Sequence, residues 1–122
     1  MSSVFGTMTL GELIAALEKR ERDQLVYFDF GNFVPRGVDS YRGYYDHLAI
    51  GFSDKEAPTV TDVLKMLKAA RGKSFEGYKG GTYTMCDDSP VWAANHGKAT
   101  GAGIVGIHEC EYMTVIETRF QP

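Results

Sequence analysis

Two segments of the chain carry apolar residues at helical spacing, each directly after a capping sequence. Thr9-Leu10-Gly11-Glu12 has the form of a capping box, and apolar positions 10, 13, 14 and 17 follow at helical intervals. Thr59 and Asp62 repeat that arrangement ahead of apolar positions 60, 63, 64 and 67. We therefore predict two amphipathic helices, the second ending at Gly72, because glycine suits the C-terminal cap.

The other apolar segments are short and rich in β-branched and aromatic residues, which is typical of strands. Glycine and proline at 31–32 and 35–37 predict turns. The predicted strands are 25–30, 38–45, 47–52, 83–85, 91–94, 104–107 and 112–118. Those after Gly72 are predicted to form a meander of antiparallel strands. This order predicts an α+β fold, two helices packed on a mainly antiparallel β-sheet, as a single domain over residues 1–122.

Length and composition fit one domain with its own core. The 122 residues are 43% hydrophobic and 24% charged, which suffices for a core without disulfides or metal. Cys86 and Cys110 form no CxxC pair, so we expect free thiols and a reducing, cytoplasmic compartment. No segment approaches about 20 apolar residues, and the N-terminus lacks a signal pattern. We therefore expect neither export nor contact with a membrane.

The charge balance argues against a nucleic-acid polymer as partner. Thirteen basic and sixteen acidic residues give a formal charge of -3, whereas binding to a phosphate backbone needs a broad basic surface. Segment 65–79 is an exception, with five basic residues and one acid, and this local excess fits a small anion. Lys68 and Arg71 are equally well explained as residues that favour the negative end of a helix.

Aromatic residues concentrate in one part of the chain: eight of the fifteen lie between residues 27 and 52. Most are expected in the core. The segment Tyr41-Arg42-Gly43-Tyr44-Tyr45 differs, because a guanidinium between phenol rings beside a glycine can pair with a phosphate while a ring stacks on a base. Tyr41, Arg42 and Tyr44 are therefore candidate binding residues. The alternative is a surface turn whose tyrosines cover the edge of the core.

A second candidate site is the glycine-rich segment 72–83. Its glycines can expose successive amides as an anion-binding concavity, with Lys73 and Lys79 at the rim and Tyr78 available for stacking. The GxxxxGK[ST] motif is absent, and the glycines precede a strand, so nucleoside triphosphate hydrolysis is not indicated. A pair of tight turns explains the glycines equally well.

A third candidate binding residue is Asn95, which follows the strand of Trp92. The small alanines beside Trp92 predict that this strand is closely packed. Asn95 carries an amide that can both donate to and accept from the edge of a base. An Asn-His-Gly turn explains Asn95 equally well, and the lone Trp92 is expected in the core.

The sequence gives little support for catalysis or for a metal. His47, His96 and His108 show none of the spacings typical of zinc sites. Cys86 with His96 would be a nucleophile and base, but no motif surrounds the cysteine. We predict no catalytic residue, metal or cofactor, and a small hydrolase using Cys86 or a histidine is the third and weakest hypothesis.

Four segments carry a resemblance to known proteins: Phe28-Asp29-Phe30-Gly31, 40–45, 77–81 and 91–97. Over residues 10–118 the chain resembles a group of small bacteriophage and prophage proteins. Phage proteins of this size include sponges, which bind cyclic nucleotide signals of bacterial defence, cyclic ADP-ribose isomers in Thoeris and cyclic oligonucleotides in CBASS. Because sponges are phage proteins of similar size, the resemblance implies an anti-defence protein that acts in the host cytoplasm. Such a protein sequesters the signal without cleaving it.

The leading hypothesis is a non-enzymatic protein that binds a small phosphorylated nucleotide. The predicted ligand-binding residues are Tyr41, Arg42, Tyr44, Lys73, Tyr78, Lys79 and Asn95. Because a domain this small offers little concave surface, we expect the pocket between subunits and hence a homo-oligomer. The alternative is a protein-interaction module that inhibits a host enzyme through the tyrosine-rich segment 41–45.

Overall fold

The structure is a computed structural model that describes residues 7–31, 33–41, 44–76, 82–94 and 101–120. The described residues form helices α1 (Leu10–Glu18) and α2 (Val60–Ala70). The strands are β1 (Leu25–Phe28), β2 (Val34–Tyr41), β3 (Tyr44–Ser53), β4 (Ser74–Glu76), β5 (Thr82–Thr84), β6 (Val91–Ala93), β7 (Ala102–Glu109) and β8 (Met113–Phe120). Strand β4 was not predicted, and the predicted strand 38–45 is divided between β2 and β3.

Both helices begin where their capping boxes predict. The hydroxyls of Thr9 and Thr59 accept from the backbone N–H of Glu12 and Asp62, whose carboxylates accept from the threonine N–H in return. The hydrogen bonds from the backbone and hydroxyl of Thr59 hold the pKa of the Asp62 carboxyl below its ordinary value. Helix α2 ends at Ala70, and Gly72 then takes the left-handed conformation, with φ of 81°.

The main sheet is mixed: three of its five strand pairs are antiparallel, in line with the prediction, and two are parallel, which was not predicted. Its six strands have the order β1-β8-β7-β6-β3-β2, and the pairs β1–β8 and β3–β6 are parallel. The predicted meander holds for β6, β7 and β8 but not for β5, which pairs with β4 in a separate two-stranded sheet. Parallel neighbours need a long crossover, which α2 and the β4–β5 hairpin supply between β3 and β6. The predicted fold class, α+β, agrees with this arrangement.

The main sheet curls until its two edge strands approach each other. The N–H of Phe28, at the end of β1, donates to the carbonyl of Phe33, just before β2, at 2.9 Å. Four phenylalanine rings, those of Phe28, Phe30, Phe33 and Phe52, pack along this seam with centroids 5.1 to 6.2 Å apart. The sheet is therefore close to a closed barrel.

The core is divided between the two faces of this sheet. Leu48 and Ile50 of β3 belong to the large cluster that also contains the buried faces of both helices. The intervening Ala49 points to the opposite face, as the two-residue period of a strand requires. There Tyr41, Ala49, Trp92 and Ala94 form a smaller buried cluster, which we call the second cluster.

The turn predicted at residues 35–37 is a bulge inside β2. The register with β3 shifts between Pro35 and Val38, and Gly37 has φ of 75°. A glycine with positive φ is found both in turns and in bulges, so the local sequence cannot distinguish a turn from a bulge here. On the facing strand, a Cβ on Gly51 would stand 2.6 Å from the carbonyl oxygen of Arg36. The close approach of β2 and β3 at this point therefore depends on Gly51.

Candidate functional site

An open cleft lies where the bulge of β2 faces the end of β3. Its volume is about 600 Å³, within the range of small-molecule sites, about 300–1,000 Å³. Described residues that line it are Phe33, Arg36, Gly37, Val38, Asp39, Gly51, Phe52, Ser53, Asp54 and Ala94. The cleft therefore combines two aromatic rings, a guanidinium and two carboxylates.

The aromatic part of the cleft is held rigidly from behind. Phe33 and Phe52 are half-buried, with ring centroids 5.1 Å apart and planes at 65°. Phe30 packs against both, at 5.7 Å from Phe33 and 5.2 Å from Phe52. Because three rings support one another, the exposed parts of Phe33 and Phe52 form a fixed apolar surface against which a planar group can pack.

The polar part of the cleft comes from the bulge of β2 and the end of β3. Arg36, Asp39 and Asp54 are exposed, and Arg36 has no ion-pair partner in the part of the chain that the structure describes. A guanidinium beside aromatic rings can pair with a phosphate while the rings pack against a base. Ser53 and Asp54 offer oxygen acceptors for hydroxyl and amino groups.

The second cluster adjoins the cleft through Ala94, which belongs to both. Tyr41 stacks on Trp92 with ring centroids 4.6 Å apart and planes at 8°. The indole N–H of Trp92 donates to Nδ1 of His47 at 3.1 Å, and the backbone N–H of Gly101 donates to the Tyr41 hydroxyl at 2.9 Å. Tyr41 and Trp92 are both 2% exposed. These rings therefore stiffen the strands beside the cleft and do not reach into it.

The residues predicted from the sequence to bind a ligand are found in different places. Tyr41 is buried in the second cluster, and the backbone of Tyr44 pairs with it across the β2–β3 hairpin. Lys73 lies on the helix-bearing side, where its Nζ is 5.2 Å from the centroid of the Phe75 ring, which packs on the large core cluster. The structure therefore does not bring Tyr41 and Lys73 together. Arg42, Tyr78, Lys79 and Asn95 lie outside the described residues.

Two of the basic residues in segment 65–79 are paired with carboxylates of the protein. Nζ of Lys68 is 2.8 Å from Glu18, and Nε of Arg71 is 2.6 Å from Asp87. The hydrogen bond from Lys68 holds the pKa of the Glu18 carboxyl below its ordinary value. These contacts tie the helix ends to their neighbours, which favours the structural interpretation of both residues.

The surroundings of Cys86 are a local turn. Its backbone N–H donates to Oγ of Ser89 at 2.9 Å, and that oxygen lies 3.8 Å from the Cys86 sulfur. His96, the base considered for this thiol, lies outside the described residues. Within the described ranges, no group of three or more histidine, cysteine or acidic side chains is close enough to hold a metal ion.

The sequence does not indicate Phe33, Arg36, Phe52 and Asp54 as one site. Arg36 falls in a predicted turn, and the two phenylalanines fall among the aromatic residues expected in the core. The feature of the sequence that points to this region is Gly51, because a single glycine inside an apolar strand indicates a bulge or a close approach of the neighbouring backbone. This glycine indicates the position of the bulge but not the side chains that line the cleft.

No family model, curated protein or solved structure matches the chain. Neither helix in the described ranges is long and apolar enough to cross a membrane. The fold and the site define the class of protein: a small α+β protein whose described residues form a mixed, nearly closed sheet with an open cleft at the β2 bulge. The bacteriophage context stays a hypothesis.

Proposed function

We propose that the protein binds a small phosphorylated nucleotide in the cleft and sequesters it without cleaving it. The observation that carries this proposal is that the exposed Arg36 lines the same cleft as the half-buried Phe33 and Phe52. In this arrangement the rings pack against the base, the guanidinium pairs with a phosphate, and Asp54 accepts from ribose or base donors.

The bacteriophage context narrows the ligand class of this proposal. The ligand is then a cyclic nucleotide signal of bacterial defence, a cyclic ADP-ribose isomer or a cyclic oligonucleotide. The protein would act in the host cytoplasm by lowering the free concentration of that signal. Sequestration requires that the bound ligand is released intact, which distinguishes this function from hydrolysis.

Isothermal titration against a panel of cyclic nucleotides tests the proposal, followed by denaturation and chromatography of the released ligand. We expect saturable binding of at least one member and recovery of that ligand unchanged. A chemically altered ligand would contradict sequestration. Absence of binding across the panel would contradict the nucleotide proposal.

Arg36→Gln is expected to weaken nucleotide binding by about tenfold or more, because a charge-assisted hydrogen bond to phosphate is lost. The side chain is exposed, so the thermal unfolding temperature should stay unchanged. Titration of the ligand identified above measures the affinity. Arg22→Gln is the matched control, since Arg22 is also exposed but lies in the loop after α1. An equal loss in both variants would contradict a specific role for Arg36.

The alternative function, inhibition of a host enzyme through segment 41–45, needs exposed tyrosine side chains. Tyr41 is 2% exposed and stacked on Trp92. Tyr41 is therefore not available to a partner, and the side chains of the other residues of this segment lie outside the described part of the chain.

For the expected homo-oligomer we propose a second surface, built from Leu25, Tyr112 and Met113. These large hydrophobic residues are 41%, 81% and 39% exposed, and Leu25 lies opposite Met113 in the β1–β8 register. Arg20 holds the turn before β8, donating to the Cys110 carbonyl at 2.6 Å and to the Thr114 hydroxyl at 3.1 Å. A fixed, exposed apolar patch is typical of a protein interface, and a second copy of the chain is the proposed occupant.

Tyr112→Ser is expected to weaken self-association by about tenfold, because the most exposed aromatic ring of this patch is removed. Sedimentation velocity over a range of protein concentrations measures the change. Tyr112→Phe keeps the apolar ring and should keep the assembly. A monomer at every concentration of the unmodified protein would contradict this interface.

A further inference from the structure

We infer that Phe30 is a positioning residue for the ligand: it holds two aromatic rings of the cleft in place without lining the cleft itself. This inference rests on the proposed function and adds to it a residue that acts on the ligand through other side chains. Phe33 and Phe52 line the cleft, whereas Phe30 is not among the lining residues.

A tight turn between β1 and β2 brings Phe30 and Phe33 side by side. The backbone N–H of Phe33 donates to the carbonyl of Phe30 at 3.4 Å, and the N–H of Phe28 donates to the carbonyl of Phe33 at 2.9 Å. Gly31 lies inside this turn with φ of 54°, and a Cβ on it would stand 3.1 Å from Cδ2 of Phe33. The backbone of Phe33 is therefore fixed by hydrogen bonds, and its ring lies against the turn.

The ring of Phe30 contacts both lining rings. Its centroid is 5.7 Å from that of Phe33 and 5.2 Å from that of Phe52, within the range of favourable aromatic pairs. Hydrogen bonds of the backbone leave the side-chain torsions of Phe33 free, so its ring orientation depends on such packing. A ring that is already fixed does not have to be ordered when a base packs against it, and this lowers the entropic cost of binding.

Phe28 provides the comparison, because it lies one ring further from the cleft. It stacks on Phe30 at 5.1 Å and meets Phe52 edge-on at 6.2 Å. Phe28 is 3% exposed and belongs to the large core cluster, whereas Phe30 is half-buried and packs against that cluster. Truncation of Phe28 should therefore cost more stability, because more buried apolar surface is lost. Truncation of Phe30 should cost more affinity.

Phe30→Leu and Phe28→Leu test this reversed order. Isothermal titration uses 3′,5′-cyclic AMP, cyclic di-AMP and cyclic ADP-ribose, and the compound that binds the unmodified protein most tightly is carried through the variants. We expect Phe30→Leu to bind it about fivefold more weakly and Phe28→Leu less than about twofold more weakly. Thermal unfolding should show the larger drop in midpoint for Phe28→Leu. Unchanged affinity in Phe30→Leu, or affinity losses that rank as the stability losses do, would overturn the inference.

A double-mutant cycle tests whether Phe30 acts through Phe33. Phe33→Leu removes the lining ring directly, so adding Phe30→Leu to it should weaken binding by less than Phe30→Leu does alone. The combined loss is then smaller than the product of the two single losses. A combined loss equal to that product would show that the two residues act independently, and would overturn the positioning role.

These outcomes separate the inference from the proposed function. If the unmodified protein binds none of the three compounds, nor any member of the wider cyclic nucleotide panel, the proposed function fails and the inference fails with it. If the unmodified protein binds and Phe30→Leu binds equally well, nucleotide binding stands and only the role of Phe30 is overturned.

Discussion

Trp92→Ala is expected to lower the free energy of unfolding by about 3–5 kcal/mol, the range for truncation of a buried aromatic side chain. Trp92 is 2% exposed, and its ring lies 4.6 Å from that of Tyr41. Truncation leaves a cavity on the face of the sheet opposite helices α1 and α2. It also removes the N–H that donates to His47. Denaturant unfolding measures the change. It is followed by far-ultraviolet circular dichroism, because Trp92 is the single tryptophan and its replacement removes the tryptophan fluorescence signal.

Trp92→Phe separates packing from hydrogen bonding in this prediction. A phenyl ring can still stack on Tyr41 but cannot donate to Nδ1 of His47. Leaving a buried acceptor without its donor costs about 1–3 kcal/mol, so this variant should lie between the unmodified protein and Trp92→Ala. Equal stability of Trp92→Phe and the unmodified protein would contradict a role for the indole hydrogen bond. A loss below about 1 kcal/mol in Trp92→Ala would contradict the burial of this ring.

Gly51→Ala is expected to lower the free energy of unfolding by about 1–3 kcal/mol, the cost of forcing an extra methyl group into a packed site. The added Cβ would stand 2.6 Å from the carbonyl oxygen of Arg36, which is backbone and cannot rotate away. Strands β2 and β3 must then move apart at the bulge. Because Arg36 and Gly51 both line the cleft, nucleotide affinity should fall together with stability.

Gly106→Ala is the matched control for this variant. Gly106 also lies in a strand, β7, where a Cβ would stand 3.3 Å from Oε1 of Glu117. That atom is the far end of a flexible side chain, so it can move, and we expect a loss below about 1 kcal/mol with unchanged nucleotide binding. Equal effects in the two variants, or full stability in Gly51→Ala, would show that the approach of β2 to β3 is not tight at this point.

The two proposed surfaces lie at different ends of β1. Leu25, in the apolar patch, begins the strand, whereas Phe30 and Phe33, which support and line the cleft, follow its end. A homo-oligomer formed through the patch would therefore leave the cleft accessible. This arrangement differs from the sequence expectation of a pocket between subunits, and the Tyr112 and Arg36 variants test the two surfaces independently.

Features that depend on neighbours in the chain could be predicted from the sequence. The capping boxes at Thr9 and Thr59 located both helix starts, since the hydrogen bonds join residues three positions apart. Gly72 located the end of α2 for the same local reason. The alternation in segment 112–118 located β8, whose Thr114 and Ile116 are buried. Of the candidate site, the sequence indicated the aromatic segment 27–52 but not the cleft that its residues form.

Local sequence by itself determined the two helices, most of the strands and the aromatic content of the region around the cleft, because each follows from side-chain chemistry within a few residues. Only the tertiary structure decided which strands pair in parallel, that Pro35 to Gly37 make a bulge, and that Tyr41 and Lys73 lie on opposite sides of the sheet. These features depend on contacts between residues far apart in the chain. Arg36 meets Phe52 and Asp54 in one cleft only because the register of β2 on β3 shifts at the bulge.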